Sequence, residues 1–219
     1  MEMRKKKLPI GIENFEEIRK EDFYYIDKTG LIVELLHNWG AVNLFTRPRR
    51  FGKSLNMSML EHFFSLDGDK SIFDGLEISK ETSLCEEYMG KYPVVSISLK
   101  GMDALNFERA FRMGARSVRR AASKAQYLLE SDALSESDKL EYQSLLNSNM
   151  DESTFCDSLR ILSEMLEKHH NTKVILLIDE YDVPLAKAHA NGYYDQMISL
   201  IRSLLGEALK TNASLKLAV

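Results

Sequence analysis

The chain has 219 residues, 44% of them hydrophobic, and a formal net charge of −4. This length and apolar content suffice for one domain with a sizeable core. The slightly acidic balance excludes a globally basic protein, so any binding to nucleic acid or to an anionic membrane must be local. Cys85 and Cys156 are isolated in the sequence and indicate neither a disulfide framework nor a zinc site.

The N-terminal sequence and the hydropathy pattern favour a cytoplasmic protein. The basic residues 4–7 are followed by Pro9 and acidic residues rather than by an apolar run, which excludes a signal peptide. No stretch approaches the roughly 18 apolar residues of a membrane span. We therefore expect a cytoplasmic location and no membrane partner.

Residues 1–40 predict an extended lead-in followed by a first helix. Leu31, Ile32, Leu35 and Leu36 recur at helical spacing, and Gly40 ends the pattern. This segment leads directly into the stretch that carries the first chemical motif.

Residues 41–54 predict a phosphate-binding loop. An apolar strand over residues 41–46 precedes a polar turn, and Gly52, Lys53 and Ser54 then open an amphipathic helix. These three residues fill the last positions of G-x-x-x-x-G-K-[ST], in which backbone N–H groups cradle phosphates, the lysine reaches the β- and γ-phosphates and the hydroxyl binds Mg²⁺. Arg47 stands at the first glycine position, so the general pattern is matched only in part. The predicted cofactor-binding residues are Arg49, Arg50, Phe51, Gly52, Lys53, Ser54 and Leu55.

The arginines of this loop allow two interpretations. A guanidinium group suits phosphate oxygens because its planar fork forms paired hydrogen bonds and stays charged. Alternatively, the arginines pair with acids such as Asp179, Glu180 or Asp182 and hold the empty loop shut. The sequence does not separate these interpretations, and no single arginine is assigned a catalytic role.

Residues 93–168 predict one strand and then a long helical region. Val95, Ile97 and Leu99 alternate with polar residues, which is typical of a strand near the edge of a sheet. The sixty-odd helical residues that follow are more than one crossover between strands needs. We therefore interpret residues 103–170 as a helical insertion beside a nucleotide-binding core made of residues 41–102 and 171–219, all within one domain.

The first helix of that region carries a basic stripe. A stripe of this length can track a phosphate backbone, but most such stripes are the solvated side of a surface helix, often paired with acids from a neighbour. Nucleic acid is therefore a conceivable partner and not the favoured one. The stripe consists of Arg109, Arg112, Arg116, Arg120 and Lys124.

Residues 174–182 form the second chemical motif. A continuous aliphatic run over residues 174–178 predicts a strand that is buried on both faces. Asp179 and Glu180 follow it, and in a nucleotide-hydrolysing fold the first acid holds Mg²⁺ while the next orients the attacking water. The simpler alternative is that these acids only end the strand and cap the helix that follows.

Three segments of the sequence resemble the AAA-ATPase-like family of prokaryotic proteins: residues 23–32 (FYYIDKTGLI), 46–55 (TRPRRFGKSL) and 177–182 (LIDEYD). Arg47 in place of the first glycine also resembles the pattern of this family. The resemblance implies a P-loop ATPase region that is often followed by a nuclease-like domain of the PD-(D/E)xK type, and the choice of ATP over GTP follows from the resemblance alone. The chain stops at residues 215–219 within a predicted strand, so we expect a C-terminally truncated region without that nuclease-like domain.

The predicted fold is α/β, with a P-loop NTPase-type, mostly parallel sheet flanked by helices. Its strands lie near residues 41–46, 93–99, 174–178 and 215–219, and we expect residues 215–219 to lie between 41–46 and 174–178. Lys53 and Asp179 would then meet at adjacent carboxyl ends of strands, where open α/β sheets bind their ligands.

Two functional hypotheses follow from this fold. In the first, the chain is an ATPase in which Lys53 and the amides of residues 52–55 hold the phosphates, Ser54 and Asp179 hold Mg²⁺, and Glu180 orients water. In the second, which the early end of the chain favours, it is a nucleotide-dependent binding module or switch with little or no hydrolysis. Such a module could act on nucleic acid with a nuclease-like partner domain. The sequence indicates neither the biological process nor the oligomeric state.

Overall fold

A computed structural model describes residues 6–38, 40–46 and 51–219 of the chain. The chain divides into two compact units, Met1–Val94 and Val95–Val219, called unit 1 and unit 2 below.

Unit 1 consists of short helices around an aromatic core. Buried Phe15, Phe63 and Phe73 pack ring against ring, and their centroids lie 5.1 Å (Phe15–Phe73) and 5.5 Å (Phe63–Phe73) apart. The backbone N–H of Phe15 also donates to Ser58 Oγ over 3.0 Å, which ties the first helix to the third. The elements are α1 (Phe15–Lys20), α2 (Gly30–His37), α3 (Lys53–Phe64), two 3₁₀ turns (Lys70–Phe73 and Glu77–Lys80) and α4 (Thr82–Tyr88).

Unit 2 has mixed α/β structure, with a small parallel sheet flanked by helices; Val94, the first residue of its first strand, lies at the boundary of the two units. Helix α7 packs against the central strand and α9 against the last strand. The elements are β1 (Val94–Ser98), α5 (Phe107–Ser123), a 3₁₀ turn (Gln126–Glu130), α6 (Glu136–Leu146), α7 (Glu152–His170), β2 (Val174–Asp179), α8 (Val183–Asn191), α9 (Tyr194–Leu209) and β3 (Leu215–Ala218).

The sheet has the strand order β1-β2-β3, and β2 pairs with β3 in parallel. The residues from Val174 to Leu177 are fully buried, as expected for a strand that is covered on both faces. The central position of β2, the outer position of β1 and the pairing of residues 215–219 with β2 are thus confirmed.

The helices predicted between residues 103 and 168 are present as α5, α6 and α7. Each begins at a polar N-cap whose side chain accepts a backbone N–H: Asn106 for α5, Ser135 for α6 and Asp151 for α7. The interpretation of residues 103–170 as an insertion in a single nucleotide-binding domain stays a prediction.

The predicted core strand over residues 41–46 is wrong for the described residues. Residues 40–46 form only an isolated bridge, at Val42, and Leu44 is 66% exposed. Residues 215–219 were expected to lie between two strands. Among the described residues they pair with β2, but residues 41–46 form no strand on their other side. A hydrophobic pattern predicts that a segment can be a strand, but only a neighbouring strand makes it one by pairing its N–H and C=O groups.

Candidate functional site

The helix predicted to face phosphates begins where the sequence places it. Gly52 occupies the N-cap position of α3 with φ +74°, in the left-handed region that glycine adopts without steric cost. The helix starts at Lys53, and the N–H of Asn56 donates to the carbonyl of Gly52 over 2.9 Å. Gly52 therefore makes the sharp turn from the loop into the helix.

The N-cap residue of α3 is Gly52, which has no side chain that could cap the first turn. A helix begins with backbone N–H groups that lack partners within the helix, and together with the helix dipole they favour an anion. Lys53, Ser54 and Leu55 in this turn are half-buried, whereas Phe51 before it is 65% exposed.

Lys53 makes no hydrogen bond or ion pair with any other residue in the described part of the chain. Its ammonium group is thus available to a ligand at the start of α3. The other predicted phosphate-binding residues, Arg49 and Arg50, lie outside the described residues together with Arg47 and Pro48.

Asp179 ends β2 in unit 2, and the neighbouring backbone holds it in place. Its carbonyl accepts the N–H of Leu99, just after β1, over 3.0 Å, while its Oδ1 accepts the N–H of Glu180 over 2.9 Å. The carboxylate is half-buried at the carboxyl end of a central strand, the edge at which open α/β sheets bind ligands.

Glu180 has an unusual backbone that the sequence did not predict. Its φ is +53°, a left-handed conformation that costs a residue with a Cβ about 1–2 kcal/mol. Its side chain is 23% exposed, and Oε1 lies 3.9 Å from the Nζ of Lys100 in the segment after β1. Non-glycine residues in this region cluster at functional sites. The only sequence signal for the position of Lys100 near Glu180 was that Lys100 directly follows a predicted strand.

The simpler role considered for these acids, capping the helix that follows, does not describe Glu180. The N-cap of α8 is Asp182, whose side chain makes no capping hydrogen bond. Glu180 supports the turn through its backbone, since its carbonyl accepts the N–H of Val183 over 3.2 Å. Its carboxylate lies near Lys100 instead.

The donor types of the predicted Mg²⁺ ligands fit that ion. The hydroxyl of Ser54 and the carboxylate of Asp179 are oxygen donors, and Mg²⁺ is usually held by one or two carboxylates together with substrate phosphates and water. Within residues 6–38, 40–46 and 51–219, no group of three His, Cys, Asp or Glu side chains forms a metal cage. Ser54 lies in unit 1 and Asp179 in unit 2, and their meeting at one ion stays a prediction.

The basic stripe lies on α5. Arg109, Arg112, Arg116 and Arg120 are all exposed on this helix, and Lys124 is exposed just after it.

Among the described residues, no helix is long and apolar enough to span a membrane.

Comparison with known proteins yields one partial relative and one family. A stretch of 100 residues is 40% identical to a protein from Azotobacter chroococcum mcd 1 named "Uncharacterized protein in vnfD 5'region". That match covers 45% of this chain and 18% of the relative, so the chain spans less than a fifth of the relative's length. No solved structure matches the chain.

The family comparison covers nearly the whole chain. The model described as "Predicted AAA-ATPase" matches residues 9–219, a range that contains the turn into α3, the end of β2 and the whole of unit 2. The glycine-lysine-serine start of one helix and the two acids after a buried strand are thus features of a family member: the chain belongs to the AAA-ATPase-like family of predicted AAA-ATPases.

Proposed function

We propose that the chain binds ATP with Mg²⁺ and hydrolyses it. The observation that carries the proposal is the start of α3, where a left-handed glycine leads into the first turn and Lys53 has no partner among the described residues. Family membership suggests ATPase-like activity and agrees with this geometry.

The phosphates would lie at the first turn of α3. The amides of residues 52–55 face the phosphate oxygens, and the ammonium of Lys53 neutralises the β- and γ-phosphates. Arg49, Arg50 and Phe51 precede this turn in the sequence and complete the proposed cofactor-binding residues.

Ser54 and Asp179 are the proposed Mg²⁺ ligands. When bound, the ion would neutralise the charge that develops on the transferred phosphoryl group. Glu180 would orient the attacking water and accept its proton. The strained backbone of Glu180 supports this role, because it fixes the carboxylate at the carboxyl end of β2 at a cost in folding free energy.

Calorimetric titration with Mg²⁺-ATP tests the binding step, using the unchanged chain, Lys53→Ala and the control Lys91→Ala. Lys91 is an exposed lysine of the same unit, so its variant has the same net charge as Lys53→Ala. We expect binding by the chain and by Lys91→Ala and no binding by Lys53→Ala. No binding by a folded, unchanged chain would refute the proposal, and a parallel titration with GTP tests the base preference.

Turnover separates hydrolysis from the alternative, a nucleotide-dependent switch. The contact between Glu180 and Lys100 favours the alternative, because a carboxylate paired with a lysine is less available to orient water. Glu180→Gln keeps the shape of the side chain, so for an ATPase we expect full ATP binding without phosphate release. If the unchanged chain already binds ATP without releasing phosphate, and Glu180→Gln changes nothing, the protein is a switch.

A further inference from the structure

Most of the exposed residues of α5 are basic. Six residues of this helix are exposed, and the four cations among them lie on one side of it. Arg109 and Arg120 mark the two ends of the basic row, which spans about 16 Å at 1.5 Å per residue. The other exposed residues of α5 are Glu108 and Ser123.

Neighbouring acids do not neutralise this row. Arg112 lies 3.3 Å from Glu108 on the same helix, and both side chains are largely exposed, so the pair contributes little. Arg109, Arg116 and Arg120 make no ion pair with any residue that the structure describes. In the described residues, these arginines are therefore not paired with acids from adjacent helices, which was one of the roles considered from the sequence.

We propose that this face of α5 binds the phosphate backbone of duplex nucleic acid without sequence preference. Duplex DNA carries about one phosphate charge per 1.7 Å of its axis, so roughly ten phosphates lie along the 16 Å of the arginine row. Guanidinium groups match phosphate oxygens through paired hydrogen bonds. The acidic balance of the whole chain confines the attraction to this one face.

The composition of the face selects this partner over others. No exposed residue of α5 is apolar, whereas helices that lie on membranes insert an apolar face and protein interfaces centre on apolar or aromatic anchors. Single-stranded nucleic acids are usually held by aromatic rings on which the bases stack. The aromatic residues of α5 are half-buried, with Phe111 packed edge-on against Phe155 at 5.6 Å.

Fluorescence anisotropy with a labelled 30-base-pair duplex of mixed sequence tests the proposal in the absence of nucleotide. Four phosphate contacts predict a slope of about −3.6 in log K against log salt, which means about 150-fold weaker binding on going from 50 to 200 mM salt. The triple variant Arg109→Gln, Arg116→Gln, Arg120→Gln retains one such arginine, so its affinity should fall only about 3.5-fold over the same range and be far lower at 50 mM. Gln and Arg have similar helix propensities, so α5 should stay folded, which circular dichroism checks.

Two control variants test whether binding requires cations on α5 rather than elsewhere in unit 2, and whether it requires their charge rather than the guanidinium group. Lys173→Gln, Arg202→Gln, Lys210→Gln removes three exposed cations elsewhere in unit 2, and we expect it to retain the steep salt slope. Replacing the same three arginines of α5 by lysine retains the charges and should retain most of the slope. Equally weakened binding in the α5 variant and in the first control would overturn the proposal.

Other polyanions test the choice of partner. Binding to phosphatidylserine vesicles or to polyglutamate as tight as to the duplex, and abolished in the same α5 variant, would overturn the assignment to nucleic acid. A duplex affinity at 50 mM salt that is unchanged by the α5 variant would overturn the proposal as a whole. None of these measurements depends on ATP, so their failure is distinguishable from a failure of the proposed ATPase function.

Discussion

Replacing Glu180 by glycine should stabilise the fold while it abolishes turnover. The φ of +53° at Glu180 costs any residue with a Cβ about 1–2 kcal/mol, and glycine avoids this cost. The ion pair that the glutamate forms with Lys100 offsets little of this gain, because the Oε1–Nζ distance is 3.9 Å and the Lys100 side chain is 70% exposed.

Comparison with Glu180→Ala isolates the backbone term, since both substitutions remove the carboxylate and with it the ion pair to Lys100. We expect Glu180→Gly to be about 1 kcal/mol more stable than Glu180→Ala, as measured by urea unfolding followed by circular dichroism. At Gln143, an exposed position within α6, the same comparison should have the opposite sign, with glycine about 1 kcal/mol less stable than alanine.

The reasoning would be refuted if glycine at position 180 were no more stable than alanine while the comparison at Gln143 behaved as expected. The backbone at position 180 would then carry no strain for glycine to relieve. If the expected gain in stability accompanies the disappearance of phosphate release, Glu180 is a position where function is maintained at a cost in stability.

Four further predictions concern local structure. The buried hydroxyl of Tyr142 donates to the carbonyl of Ala122 over 2.6 Å, so Tyr142→Phe should lower the free energy of unfolding by about 1 kcal/mol in urea titrations at neutral pH; an unchanged value would mean that the bond adds nothing net. Burial raises the pKa of Tyr142 to about 12, above the value of about 10 in the unfolded chain. The contribution of Tyr142 to stability is therefore full below about pH 10 and is lost as the pH rises through about 12. Tyr142→Phe should make the free energy of unfolding less sensitive to pH in that range, and equal sensitivity would contradict this. Ser135 forms a capping box with Asp138 at the start of α6, so Ser135→Ala should cost about 1 kcal/mol in the same unfolding assay, whereas the neighbouring exposed Ser137→Ala should cost much less. A Cβ at Gly52 would meet no atom of the described residues within 4 Å, so Gly52→Ala should cost only the backbone term of about 1 kcal/mol while weakening ATP binding in calorimetry. Unchanged affinity would exclude a role for this turn in binding.

Several features of this protein could be predicted because they depend on local sequence. The aliphatic run of residues 174–178 indicated a buried central strand, because a strand covered on both faces has no polar alternation. Glycine, lysine and serine in succession marked the start of α3, because N-terminal turns require specific residues. The basic stripe of α5 was likewise visible as a helical period of arginines.

Other features were decided by residues far apart in the chain. The strand predicted at residues 41–46 is absent although its pattern was suitable, because a strand exists only where a neighbour pairs with it. The left-handed backbone of Glu180 and the approach of Lys100 depend on how the segments after β1 and β2 pack, and no spacing in the sequence encodes that. The sequence by itself determined where the motifs begin and which faces of the helices are charged. The tertiary structure decided which of the arginines find acidic partners, since an ion pair requires two side chains within about 4 Å and the sequence holds no such distances.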